Sequence, residues 1–169
     1  KHVDEGNAEA QAQLGSAYWN GCLGLKQNFK RAVKLYELAA VQGHALAQCS
    51  LGISYQHGVG VKIDYKTATQ WHRRAAEQGY HVAQCYLGLV FSNGKGVAQS
   101  DEEAVKWFRL SAAQGQSDAL FVLGLSYESG KGVLRDGIEA LRFYKLAEAR
   151  GYPDAADSII RCRAGLMLE

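Results

Sequence analysis

Proline is almost missing from this chain: Pro153 is the one example in 169 residues. That excludes proline-rich linkers and extended recognition arms, and it leaves the backbone free to form helices throughout. No apolar run approaches the roughly 18 residues of a membrane span, so no membrane insertion is expected. Cysteines at zinc or redox spacing are lacking too. Cys22, Cys49, Cys85 and Cys162 are scattered, with no C-x-x-C. Free thiols are expected, and they favour a reducing, cytoplasmic compartment. His2, His44, His57, His72 and His81 form no H-E-x-x-H and share no spacing with cysteines or acids. No metal site, cofactor or catalytic constellation is expected, so the chain reads as no enzyme. A net charge of +2, with acids and bases interspersed, leaves no footprint for nucleic acid.

Glycine is what the chain has instead, and 17 of its 19 glycines fall at repeating positions, all but Gly137 and Gly165. The stretch Gly79 to Gln114, shifted by 36 residues either way, falls on Gly43 to Gln78 and on Gly115 to Arg150. Gly6 to Gln42 is a fourth copy, one residue longer because Gly21-Cys22-Leu23-Gly24 replaces G-x-G. A fixed period of this length means a solenoid, with each unit burying its apolar face on the next.

Each unit predicts two helices. In the first, Ala83, Leu87, Gly88 and Phe91, with equivalents such as Ala119, Leu123, Gly124 and Tyr127, share one stripe. A helix-internal glycine costs about 1 kcal/mol against alanine. Its recurrence at Gly15, Gly52, Gly88 and Gly124 predicts a neighbouring helix too close to admit a side chain. The second helix starts at Asn28, Asp64, Ser100 and Asp136, all good N-caps. Ser100 with Glu103, and Asp136 with Glu139, read as capping boxes or close variants. His72 stands where Tyr36, Phe108 and Tyr144 stand in the other copies, so it is expected to be packed. A G-x-G pair can cradle phosphate only after a strand; none is predicted, so these pairs read as turns. The fifth copy starts at Gly151 and departs from the pattern, predicting a terminal helix from Asp154 to about Ala164 with a frayed end.

The pattern A-x-x-x-L-G-x-x-Y-x-x-G-x-G-V, followed by D-x-x-x-A-x-x-W-(F/Y)-x-x-A-A-x-x-G, resembles the Sel-1-like repeat family, a relative of tetratricopeptide repeats. The resemblance implies an all-α, right-handed α/α superhelical solenoid: repeats 6–42, 43–78, 79–114 and 115–150 and a terminal helix, 151–165, in one array over 1–169. It also implies a protein-interaction scaffold or adaptor. Lys1 to Gly6 aligns with Leu38 to Gly43, the end of a second helix, so the chain is expected to be cut from a longer protein.

All 19 lysines and arginines lie outside the four first helices. In the architecture the resemblance implies, those helices line the concave face, which should be neutral to mildly acidic. The tetratricopeptide register then places Trp19, Ile53, Gln56, Tyr86, Leu89, Leu125 and Glu128 among the residues there, and Trp19, Tyr86, Leu89 and Leu125 with Phe121 should form an apolar and aromatic track for a protein or peptide segment. A carboxylate clamp is disfavoured because basic groups are missing. The alternative is a structural spacer, or a segment that self-associates through its array ends.

Overall fold

The computed structural model describes residues 6–166. The alignment of Lys1 to Glu5 with a helix end, His2, and the end of the frayed tail lie outside them. Among the described residues there are nine helices and no strand: α1 (Ala8–Asn20), α2 (Phe29–Val41), α3 (Ala45–His57), α4 (Tyr65–Glu77), α5 (His81–Asn93), α6 (Asp101–Ala113), α7 (Ser117–Ser129), α8 (Gly137–Ala149) and α9 (Ala155–Leu166). The last helix runs two residues past the expected Ala164. The chain packs as two compact units, Lys1–Ala83 with Lys95–Val97, and Gln84–Gly94 with Ala98–Glu169.

The expected close approach inside each helical pair is present, and the partner is an aromatic ring. In the first unit, a Cβ on Gly15 would come within 2.8 Å of the Tyr36 ring, and one on Gly52 within 2.6 Å of the His72 ring. In the second, Gly88 faces Phe108 and Gly124 faces Tyr144, both at 2.5 Å. A real Cβ would overlap a ring that has nowhere to go, because Phe108 and Tyr144 are almost wholly buried. Each glycine therefore exchanges a little helix propensity for an aromatic knob seated on bare backbone.

The second helices begin at the expected caps. Asn28 accepts from the Arg31 N–H at 3.0 Å, Asp64 from Lys66 and Thr67 at 3.0 and 3.1 Å, Ser100 from Glu103 at 3.2 Å, and Asp136 from Ile138 and Glu139 at 2.9 and 3.0 Å. The reciprocal half of the capping box does not form. Glu103 pairs with Lys106 and Glu139 with Arg142. The cap N–H groups are already used: those of Asn28, Asp64, Ser100 and Asp136 donate to the carbonyls of Tyr18, Tyr55, Phe91 and Tyr127 at 2.8, 3.0, 3.0 and 2.9 Å. One backbone bond thus closes every helical pair.

Neighbouring pairs within a unit are joined by backbone contact, and each of the first three pairs is tied internally by a buried amide. Gly60 lies so close to the first turn of α2 that a Cβ would meet the Phe29 carbonyl at 2.6 Å, and its φ of +76° is glycine territory. Gln42 donates to Gln11 at 2.8 Å and Gln78 to Gln48 at 2.7 Å in the first unit, and Gln114 to Gln84 at 2.9 Å in the second. Gln11, Gln48 and Gln84 are buried. The fourth repeat replaces both members together. Leu120 is buried where the acceptor would be, and Arg150 donates to the Gly115 carbonyl instead at 3.3 Å.

Candidate functional site

The eight residues anticipated for the partner face fall three in the first unit and five in the second. In the first, Trp19 is half-buried and meets Phe29 edge-on, ring centroids 5.0 Å apart, with Tyr36 at 6.3 Å. Much of its surface therefore serves the α1–α2 pair. Ile53 and Gln56 are half-buried on α3.

In the second unit, Phe121 is drawn into packing. It stacks on Tyr152 at 4.2 Å and tilts against Tyr144 at 5.4 Å. Tyr86 is half-buried, and Leu89 rests against the core of Val105, Phe108 and Leu123. Leu125 is 39% exposed, the most open of the anticipated apolar residues. Glu128 binds inside the molecule: the Tyr144 hydroxyl donates to it at 2.5 Å, and the Arg161 guanidinium holds both carboxylate oxygens at 3.3 and 3.1 Å. Burial pushes the Glu128 carboxyl up, but bonds from Arg161 and Tyr144 outweigh it and hold it below the usual range.

Leu125 and Glu128 border one cleft of about 520 Å³. Its floor is Ala104, Phe108 and Val122; its rim is Ser92, Asp101, Ser126, Ser129, Lys131 and Arg161. The first helices hold no lysine or arginine, yet two basic groups border this cleft from outside them. Lys131 enters from the loop after α7, and Arg161 from α9, at the repeat position held by Leu125, Leu89 and Ile53. Scanning the first helices alone could not see either residue. The α9 register held the missed signal, because an arginine stands in it where three earlier copies carry an aliphatic side chain.

None of the four cysteines is in a disulfide; Cys22 is exposed, and burial, followed by the charge of Asp118, pushes the Cys85 thiol up to about 12. A thiol that resists ionisation is a poor nucleophile. Among the described residues no group of three His, Cys, Asp or Glu could hold a metal, and no helix is long and apolar enough to cross a membrane.

The model of the Sel1 repeat matches residues 8–44, 45–80, 81–116 and 117–152, four windows starting two residues later than the periods read from the sequence. A Sel1 repeat protein from Oxalobacter formigenes is 34% identical with a TM-score of 0.88, over 96% of this chain and 64% of that one. A protective antigen of uropathogenic Escherichia coli strains, displaying an SLR fold, is 37% identical with a TM-score of 0.82, over 88% of this chain and 32% of that one. The chain thus spans less than two thirds of either relative. No curated protein matches it. With four repeats matched in register and the glycine-aromatic pairs in place, the chain belongs to the Sel1 repeat family, all-α repeat solenoids that commonly serve as protein-interaction scaffolds and are generally not enzymes.

Proposed function

We propose that this chain is an interaction module that seats a segment of a partner protein on its first-helix face, with the cleft at Leu125 as the main contact. The observation that carries the reading is the cleft itself: an apolar floor with a mixed-charge rim, open to solvent and bordered by two of the anticipated residues. A floor that buries one aliphatic side chain of a partner supplies about 2 kcal/mol, and a polar rim supplies selectivity. Leu89 and Tyr86 are proposed to extend the contact along α5, whereas the packing of Trp19 and Phe121 assigns them to support. Selection of a displayed random-peptide library on the wild type should enrich a consensus containing an aliphatic residue. Leu125→Asp should weaken the selected peptides at least tenfold in fluorescence anisotropy while leaving the helical circular dichroism unchanged. Equal affinity in a folded Leu125→Asp protein would overturn the reading.

One observation favours a second reading, association through an array end. On α8, Ile138 and Leu146 are exposed and Leu141 is half-buried around a hollow of about 340 Å³. The equivalents of Leu141 in the first three repeats, Val33, Thr69 and Val105, are buried. Light scattering discriminates: dimers that grow with concentration and vanish in Leu141→Lys support association, and a monomer at every concentration refutes it.

A further inference from the structure

We propose that the cleft beside Leu125 selects an acidic side chain of the partner, lying next to the aliphatic one that fills the floor. The inference rests on the reading above that the cleft takes a partner segment. The charges around the rim are unequal in how they are already satisfied. Glu128 is fully engaged: Arg161 grips both of its oxygens, Tyr144 donates to one of them, and the Arg135 guanidinium lies near, donating to the Glu128 backbone carbonyl at 3.2 Å. Asp101 stands in the first turn of α6, where the helix N-terminus offsets a negative charge. Lys131 has no such compensation. It is exposed, lines the cleft, and among the described residues its ammonium enters no ion pair or side-chain hydrogen bond.

Arg161 adds a second, oriented cation. Its Nε and Nη2 edge is fixed on Glu128, which leaves Nη1 without a bond among the described residues, on a side chain that is 59% exposed. A guanidinium held along one edge has already lost its rotamer freedom, so a ligand that meets its other edge pays little further ordering cost. Among the described residues the cleft therefore offers an apolar floor of Ala104, Phe108 and Val122, bordered by Leu125, with one free cation and one half-used cation at its rim. The complementary ligand is an aliphatic side chain with Asp or Glu one or two positions away.

The test uses the whole chain and a library of random 12-residue peptides, roughly the length of an extended groove ligand, displayed without a free C-terminus. It is selected separately on wild type, Lys131→Glu and Leu125→Asp. Wild type should enrich Asp or Glu within two positions of Leu, Ile or Met. Lys131→Glu should lose that acid and enrich Lys or Arg in its place, while keeping the aliphatic residue. A peptide selected on wild type should bind Lys131→Glu about 3- to 5-fold more weakly, the scale of a rim ion pair, and the gap should close in high salt. An aliphatic consensus with no acid, or an acid preference unchanged by Lys131→Glu, overturns this inference and leaves the cleft reading standing. No enrichment that depends on Leu125 overturns both.

Discussion

Replacing His72 by Phe should remove a large part of the acid sensitivity of the first unit. His72 is wholly buried on α4, against the bare backbone of Gly52, in the slot that Phe108 fills in the third repeat. Burial, and then the charge of His57, hold its pKa at about 4 against an ordinary 6.5. The folded state thus refuses a proton that the unfolded chain accepts. Stability from the neutral ring is complete above pH 6.5 and is lost as the pH falls from there towards 4. At about 1.36 kcal/mol per pH unit the full loss is about 3 kcal/mol, and at pH 5 it is about 2 kcal/mol. The assay is urea unfolding followed by helical circular dichroism at pH 7.5 and pH 5.0, on wild type and His72→Phe. Glu9, Asp64 and Glu128, whose carboxyls all lie below their ordinary range, lose stabilising charge in acid too. They do so in both proteins, so the difference between the two isolates His72. Wild type should lose about 2 kcal/mol more than the variant across this interval. Parallel losses would show that the ring is reached by water or protonated in place, and would refute the argument.

Gly88→Ala should destabilise the second unit by about 1 to 3 kcal/mol despite the gain in helix propensity, because the new methyl meets the Phe108 ring. Adding Phe108→Leu should recover part of the loss in thermal melts, whereas a stabilised Gly88→Ala would deny the close approach. Gln78→Ala should cost about 1 kcal/mol in urea unfolding by stripping the buried Gln48 carbonyl of its donor. The pair Gln48→Leu with Gln78→Arg, copying Leu120 and Arg150 of the fourth repeat, should cost less than the single change. Asp64→Ala should cost about 1 kcal/mol through loss of the α4 cap, most of it visible as faster amide exchange at Lys66 and Thr67.

The helices, their caps and the glycine contacts were legible in the sequence because each depends on residues close in the chain, repeated four times. Gly88 and Phe108, though 20 residues apart, have equivalents at the same offset in the second and fourth repeats and one residue further in the first, and a buried helix glycine has few physical explanations. The capping boxes are half formed for a local reason: Glu103 and Glu139 stand at the right spacing, but the N–H they would have met is occupied by a carbonyl from the preceding helix. The glutamine pairs are not legible because glutamine usually belongs to the surface, and a buried acceptor declares itself only when its partner at the far end of the same repeat is in view. The cleft was half legible. Leu125 and Glu128 follow from helical register, whereas Lys131 and Arg161 arrive from a loop and a terminal helix, and pattern rules for the repeat do not reach them.

The backbone bond that closes each helical pair also explains why the first repeat tolerates its extra residue. Tyr18 and Asn28 are separated by 10 positions, against 9 for Tyr55 and Asp64, yet the Asn28 N–H still meets the Tyr18 carbonyl at 2.8 Å. The surplus is absorbed at the tip, where Leu23 takes a left-handed φ of 58° and stands 86% exposed. A hairpin latched below its tip is indifferent to what the tip carries. Cys22 and Leu23 therefore mark a grafting position, where an epitope or a small domain can be spliced into the chain while the helices beneath keep their register.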